Sequence, residues 1–205
     1  MEYTQIKVSF KKDPQRFNRV IAIQGNPTLY ELGVIIGKSI NAWFEHYFLF
    51  KCSKQHKFYV PDNWVDGDFE EDVPLSKYHL SDLEDTFYYE YDTGEGYDFD
   101  CKKLKRKINL EPDEDEPEIF AFVVKGVGQG IFENDIYTLY RYLDGEINPS
   151  SYEESEEPWQ NLPMNMDFDT YGDFDKPLDL EEYIYDKDEI NYIVKAYTEG
   201  HATVS

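Results

Sequence analysis

Apolar and polar residues alternate near the start of the chain, over residues 6–10. This period of two is typical of a β-strand that buries one face. The turn signal Asp13-Pro14 follows, and a second apolar run then occupies residues 19–23. The pattern therefore predicts a β-hairpin at the beginning of the fold.

A helical pattern replaces this alternation after Asn26-Pro27. Thr28 and Glu31 have the spacing of a capping box, in which each side chain accepts a hydrogen bond from the other residue's backbone N–H. Apolar residues then recur at helical spacing, at Leu29, Leu32, Ile35, Ile36, Ile40 and Trp43. The pattern predicts a long amphipathic helix over about 28–43.

Strand signals return in the middle of the chain. Aromatic residues are concentrated in 86–91, and the glycine-containing segment 92–96 is typical of a tight turn. We expect residues 97–104 to return as the partner strand of this second hairpin. The continuously apolar run over 119–124 predicts a central strand that is buried on both faces.

Helical spacing reappears near 135–143 and near 186–197, which predicts two further helices. The predicted fold class is α+β, with a mostly antiparallel sheet packed against the long N-terminal helix. We expect one domain over 1–145, followed by an acidic C-terminal extension over 146–205 whose terminal helix packs on that domain.

Three glycines, Gly126, Gly128 and Gly130, lie between the predicted strand at 119–124 and the helix near 135–143. A phosphate-binding loop can occupy such a position. However, the spacing here is G-x-G-x-G, and the lysine that follows the last glycine of a Walker A loop is absent. The pattern favours a turn that needs positive φ.

The net charge narrows the classes of function. The 205 residues include 43 Asp and Glu against 20 Lys and Arg, which gives −23, while 17% of the residues are aromatic. Acidic chains that stay disordered are poor in aromatic residues, so we expect a folded protein. Direct DNA binding and contact with anionic membranes are disfavoured, because phosphate groups require a basic surface.

Features that would direct the chain out of the cytoplasm are not visible in the sequence. There is no run of 18 apolar residues, and residues 1–4 do not begin a signal-peptide pattern. Cys52 and Cys101 are the two cysteines, and their pairing stays open at this point. We expect a reduced, cytoplasmic protein.

Two segments resemble signatures of a known family. The first resembles the pattern TLxELHxxIQxAFGWxxxHLxxF through Thr28-Leu29, Glu31-Leu32, Ile35-Ile36, Ile40, Trp43, His46, Phe48 and Phe50. The second resembles the pattern LxxLLxxGxxFxYEYDFGDxW through Leu80, Leu83, Phe87 and the run from Tyr89 to Gly94. Over about 3–145, the chain is thus similar to the Ri-plasmid ORF-three-like family of plasmid and insertion-element passenger proteins. The resemblance implies a compact α+β domain in a mobile-element setting.

Carboxylates are clustered at the predicted turn of the second hairpin. Glu90, Asp92 and Glu95 lie there, and His46 joins them if the strand after the first helix runs alongside. Such a set could hold a divalent cation and support a metal-dependent nuclease or nucleotide hydrolase. The alternative is a structural hairpin in which the Asp92 side chain caps the turn.

Other acidic residues are interleaved with aromatic ones, a composition suited to a protein-binding surface. Acids can take the place of phosphates opposite Lys and Arg, while aromatic side chains supply buried anchor area. The candidate partner-binding residues are Trp64, Asp66, Asp68, Glu70, Glu71, Asp72, Glu153, Glu154, Glu156, Glu157, Asp169, Asp173 and Asp175.

The sequence therefore favours a non-enzymatic role without a cofactor. We expect an acidic mobile-element accessory protein that binds and inhibits a basic nucleic-acid-handling host protein by mimicking nucleic acid. A CRISPR effector nuclease is one candidate partner, in which case the protein would be an anti-CRISPR. Two alternatives stay open: the metal-dependent enzyme, and an adaptor whose acidic surface is only solvated.

Overall fold

Nine strands and two short α-helices form the part of the chain that the computed structural model describes, residues 2–42, 44–65, 72–109, 121–128, 130–132 and 134–146. The strands are β1 (Glu2–Phe10), β2 (Asn18–Gln24), β3 (Phe48–Cys52), β4 (Lys57–Val60), β5 (Asp72–Pro74), β6 (Thr86–Tyr91), β7 (Tyr97–Lys103), β8 (Ile108–Asn109) and β9 (Ala121–Val127). The helices are α1 (Leu29–Ser39) and α2 (Ile136–Leu143), and short 3-10 helices cover Asp62–Trp64, Leu75–Lys77 and Leu80–Asp82.

All nine strands belong to one mixed sheet. Their spatial order is β5-β4-β3-β6-β7-β1-β2-β9, and β8 pairs with the beginning of β1. Neighbouring strands are antiparallel, except that β4 and β5 run parallel. The two predicted hairpins are confirmed as β1–β2 and β6–β7.

The predicted fold class is wrong. In the described residues the structure has one mixed nine-stranded sheet and only two short helices, and the long helix expected over about 28–43 does not form. Helix α1 has 11 residues and ends at Ser39. Asn41 and Phe44 have φ values of 65° and 67°, and this left-handed conformation interrupts a right-handed helix. The apolar spacing continues past Ser39, but the helical backbone does not.

The central strand predicted over 119–124 is also wrong, since β9 is the last strand in the sheet order. Ala121 and Val123 are buried, whereas Phe122 and Val124 are only half-buried. A short apolar run is thus compatible with an edge strand as well as with a central one.

The predicted C-terminal extension, 146–205, and its helix near 186–197 lie outside the described residues, except for Glu146. The helix expected near 135–143 is present as α2, and the Asp135 carboxylate accepts a hydrogen bond from the Thr138 N–H at 3.0 Å. None of the helices in the described segments is long and apolar enough to cross a membrane.

Helix α1 begins at the predicted capping box. The Thr28 hydroxyl oxygen accepts a hydrogen bond from the Glu31 N–H at 3.2 Å, and the Glu31 carboxylate accepts one from the Thr28 N–H at 2.8 Å. The helix then contacts β3 and β6. Gly33 faces the ring of Phe48, and the Tyr89 hydroxyl donates to the Gly33 carbonyl at 3.1 Å. These contacts position the chain that follows α1.

A charged side chain, Arg19, is fully buried in the sheet. Its guanidinium donates hydrogen bonds to the carbonyl oxygens of Ser39 at 2.7 Å, Asn18 at 2.9 Å, Val127 at 2.8 Å and Gly128 at 3.1 Å. Arg19 thereby connects the end of α1 with β2 and the end of β9. Gly128 has a φ of 83°, so the turn with positive φ that the glycines predicted is present there.

Both cysteines, Cys52 and Cys101, are free and buried. Burial away from water raises the pKa of each thiol, and it does so strongly for Cys101. These thiols therefore stay protonated and unreactive near neutral pH, which makes them part of the core.

Candidate functional site

The ends of β3 and β6 lie side by side and bring two distant segments together. Phe48 is paired with Tyr91, so the residues just before Phe48 adjoin those just after Tyr91. The Asp92 N–H donates to the Tyr47 carbonyl at 3.0 Å. Strand pairing thus places His46 beside Asp92, although the two residues are far apart in the sequence.

Asp92 shapes the turn between β6 and β7. Its φ is 52°, a left-handed conformation that Asp and Asn tolerate better than most residues. Its Oδ1 accepts hydrogen bonds from the N–H groups of Gly94 at 3.1 Å and Glu95 at 3.2 Å. The capping role that the structural alternative gave to Asp92 is therefore confirmed.

The second oxygen of the same carboxylate, Oδ2, does not take part in the turn. Asp92 is only 3% exposed, and its Oδ2 is buried without a hydrogen-bond partner among the described residues. A buried acceptor without a donor costs about 1–3 kcal/mol. The turn itself uses only Oδ1, so the capping function leaves Oδ2 without a role.

His46 lies over the Asp92 carboxylate, with its Nδ1 3.7 Å from Asp92 Oδ1. On the other side of the ring, Nε2 is hydrogen-bonded to Asn134 Oδ1. The Asn134 amide nitrogen in turn donates to Glu45 Oε2 at 3.0 Å. This chain of contacts holds the imidazole between the hairpin turn and the segment that leads into α2.

We call the space around these groups the hairpin-tip cavity. It has a volume of about 310 Å³ and is lined by His46, Tyr47, Asp92, Thr93, Gly94, Glu95 and Asn134. Its backbone comes from the segment before β3, the β6–β7 turn and the segment before α2, so three separate regions of the sequence build one site.

The four residues of the metal alternative do not form one ligand set. Glu90 is paired with Lys51, and Glu95 Oε2 accepts a hydrogen bond from the Ile136 N–H at the start of α2, at 3.3 Å. Within the described ranges, no group of three or more His, Cys, Asp or Glu residues is arranged to hold a metal ion. Of the four, His46 and Asp92 are the pair that meets.

A larger depression lies next to the cavity, and we call it the aromatic groove. It has a volume of about 710 Å³, and its lining includes Tyr30, Phe44, Glu45, His46, Tyr47, Phe48, Pro61, Asp62, Asn63, Leu75 and Ser76. Tyr30 and Tyr47 are 51% and 52% exposed, so two large rings of this groove are open to solvent. None of the described lining residues is Lys or Arg.

One predicted partner-binding residue adjoins this groove. Trp64 is 36% exposed, and its ring packs edge-on against Tyr47 with 5.1 Å between ring centroids. Asp72 is the first residue of β5, opposite Phe58 of β4. The other candidates lie outside the described residues, namely Asp66, Asp68, Glu70, Glu71, Glu153, Glu154, Glu156, Glu157, Asp169, Asp173 and Asp175.

The tyrosines of the groove were not predicted from the sequence. Tyr30 lies on α1 but is exposed, unlike its buried neighbour Leu29. The apolar spacing could have revealed it, because Tyr30 is the large aromatic residue that does not share the buried stripe of the helix. Tyr47 gives no such signal, since it lies in irregular chain before β3.

No family model matches this chain, and no curated protein matches it either. Its fold is similar to the crystal structure of a protein of unknown function from Methanosarcina mazei Go1. The TM-score is 0.60 over 93% of this chain and 96% of that one. The sequence identity is 17%, so this likeness shows a shared fold alone. The resemblance to the Ri-plasmid ORF-three-like family stays a prediction.

Proposed function

We propose that this protein binds a basic nucleic-acid-handling protein and inhibits it by competing with nucleic acid. The observation that carries the proposal is the aromatic groove, with its exposed Tyr30 and Tyr47, the adjoining Trp64, and two acidic residues, Glu45 and Asp62, in its lining. Tyr and Trp are enriched among the few residues that carry most of the binding energy at protein interfaces. The acids select a partner with Lys and Arg.

The charge of the chain supports the same kind of partner. Residues 61–100 contain 14 acidic residues and one basic residue, Lys77, and the whole chain carries −23. A field of one sign accelerates association with an oppositely charged surface and makes it sensitive to salt. A surface that attracts Lys and Arg in this way competes with phosphate groups for the same side chains.

The finer identity of the partner rests on the resemblance over 3–145. A plasmid or insertion-element setting would make a host defence nuclease, such as a CRISPR effector, a fitting target. In that setting the protein would protect the mobile element by occupying the nucleic-acid-binding surface of the nuclease.

The test measures displacement of nucleic acid. Basic proteins captured from a bacterial lysate by the tagged full chain, and released by high salt, are purified and bound to labelled DNA or RNA. We expect the wild-type chain to displace the labelled nucleic acid. The double variant Tyr47→Ala/Trp64→Ala should need about tenfold or more protein for the same effect, because two aromatic anchors are lost.

The matched control is Phe58→Ala/Tyr88→Ala, which removes two other exposed aromatic residues, both in register with Lys51 in the sheet. This control should displace nucleic acid as the wild type does. Displacement that is equally strong in all three proteins would contradict the role of the groove. A captured protein that still binds its nucleic acid while the wild-type chain is attached would instead indicate an adaptor.

A further inference from the structure

We infer that the hairpin-tip cavity binds the guanidinium group of an arginine side chain that the protein partner supplies. This inference rests on the proposed function and names the chemical group that the partner must contribute. It starts from the buried carboxylate of Asp92, whose Oδ2 has no donor among the described residues although the residue lines a cavity.

The missing group must be a hydrogen-bond donor, because an ionised carboxylate can only accept. Oδ1 already accepts from the N–H groups of Gly94 and Glu95, so the unused capacity is concentrated on Oδ2. A cationic donor would also compensate the buried negative charge. The donor is therefore best supplied by a positively charged group that enters the cavity.

The cavity adjoins the groove in which we place the partner. His46 and Tyr47 line both of them. A partner segment that packs on the exposed ring of Tyr47 thus lies beside the cavity that contains Asp92. A long, flexible side chain is needed to enter the cavity from that segment, and both Lys and Arg have one.

Arginine fits this site better than lysine. Its planar guanidinium donates two parallel hydrogen bonds to a carboxylate, and it loses hydration more readily than an ammonium group. It also stacks on aromatic rings, and Tyr47, which lines the cavity, is 52% exposed. A hard metal ion fits less well, because Glu90 and Glu95 have their carboxylates engaged by Lys51 and the start of α2.

His46 controls access to Asp92. The histidine side chain is 35% exposed and lies 3.7 Å from Oδ1, whereas the Asp92 side chain is 5% exposed. Oδ2 has no exposed surface, so the guanidinium must displace a neighbouring group, and we assign this movement to the imidazole, which would give up its contact with Oδ1 and its hydrogen bond to Asn134. His46 acts as a gate that occupies the position next to the carboxylate until arginine arrives.

The experiment titrates the full-length chain with N-acetyl-arginine amide and follows backbone amide signals by NMR. Because the N–H groups of Gly94 and Glu95 are bonded to the Asp92 carboxylate, we expect their signals to shift in a saturable manner. N-acetyl-lysine amide should bind more weakly. N-acetyl-citrulline amide, which keeps the shape but lacks the charge, should cause no shift.

Two variants test the carboxylate and the gate. Asp92→Asn keeps the turn but removes the charge, so the affinity for the arginine probe should fall by about tenfold or more. His46→Ala should bind the probe at least as well as the wild type, since the gate is open. Asp98→Asn is the matched control, because that carboxylate pairs with Lys11 at a distance from the cavity, and it should leave affinity unchanged.

The outcomes separate this inference from the proposed function. Absence of a shift with the arginine probe, equal affinity in Asp92→Asn, or line broadening of Gly94 and Glu95 by Mn²⁺ alone would each overturn the arginine site. The displacement of nucleic acid by the groove would stand in all three cases. The converse result is a chain that binds the arginine probe through Asp92 and yet displaces no nucleic acid. That result would refute the proposed function and leave a cavity selective for arginine.

Discussion

Arg19 and Asp92 are both buried and charged, but their surroundings satisfy them to different degrees. The guanidinium of Arg19 donates to carbonyl oxygens from α1, β2 and the end of β9. The carboxylate of Asp92 has one oxygen engaged by the turn and one without a partner in the described part of the chain. A satisfied buried charge holds segments together, whereas an unsatisfied buried atom costs free energy, and it is there that we place the ligand.

The difference in geometry follows from where each residue lies. Arg19 points from β2 into a region where helix and strand ends expose carbonyl groups, which need donors. Asp92 lies in a tight turn, whose own N–H groups reach only one carboxylate oxygen. We therefore predict that Arg19 contributes to stability and that Asp92 contributes to recognition. Substitutions at the two residues test these two predictions separately.

The largest effect is expected for Arg19→Met. Methionine fills part of the volume but leaves the carbonyl oxygens of Ser39, Val127 and Gly128 without the donor. We expect the free energy of unfolding to fall by about 3 kcal/mol, as for other buried polar networks that lose one partner. Urea unfolding followed by tryptophan fluorescence measures this change.

The matched control for that variant is Arg16→Met. Arg16 is exposed and pairs with Asp13 on the surface, so its loss should change the unfolding free energy by less than about 1 kcal/mol. If the free energy of unfolding falls equally in the two variants, the buried guanidinium does not stabilise the fold more than an exposed one does.

A smaller loss is expected for Gly128→Ala. A Cβ at this position would lie 2.2 Å from the Arg16 carbonyl oxygen, at a φ of 83°. The clash moves the chain whose carbonyl receives the Arg19 guanidinium, and we expect a loss of about 2 kcal/mol. Gly25→Ala is the control, since Gly25 also has positive φ but open space around the Cβ.

Gly25→Ala carries the backbone strain alone, which we expect to cost about 1 kcal/mol. The difference between the two thermal or urea unfolding midpoints isolates the contact with Arg16. If Gly25→Ala is as destabilising as Gly128→Ala, the close approach next to Arg19 has no separate energetic role.

The smallest effect on stability is expected for Asp92→Asn. The side-chain oxygen of the asparagine can still accept from Gly94 and Glu95, asparagine tolerates the left-handed conformation, and the uncompensated charge disappears. The free energy of unfolding should therefore change by less than about 1 kcal/mol, or rise. Asp135→Asn gives the contrast, because Asp135 uses one oxygen for the Thr138 N–H and the other for the Thr138 hydroxyl.

We expect Asp135→Asn to cost about 1 kcal/mol, because the amide nitrogen of asparagine cannot accept the hydrogen bond that the Thr138 hydroxyl donates to Asp135. Calorimetric unfolding of both variants at one pH makes the comparison direct. A larger loss in Asp92→Asn than in Asp135→Asn would mean that the Asp92 charge is structural, and the distinction between the two buried charges would then be lost.

Sequence patterns predicted the hairpin strands and the start of α1, but not the sheet as a whole. The parallel pairing of β4 with β5 involves Asp72–Pro74, a strand of three residues. A segment of three residues is too short to show the alternation of apolar and polar residues that predicts a strand. Its position beside β4 depends on the chain path between them, which local patterns do not contain.

The sequence pointed to some residues of the candidate site but not to its arrangement. The metal alternative named His46, Glu90, Asp92 and Glu95, and all of these except Glu90 line the hairpin-tip cavity. The sequence did not show that Glu95 would accept from the start of α2, or that Asn134 would hold the histidine. Those contacts join residues that lie 41 and 88 positions apart in the chain.

By itself, the sequence determined the features that depend on near neighbours: the capping box at Thr28 and the Asp92 cap of the hairpin turn. These features need only residues two or three positions apart, so their geometry is encoded locally. Only the tertiary structure decided that Arg19 is buried and that one oxygen of Asp92 is left without a donor in the described part of the chain. Both results depend on which distant backbone groups the fold brings within hydrogen-bond distance.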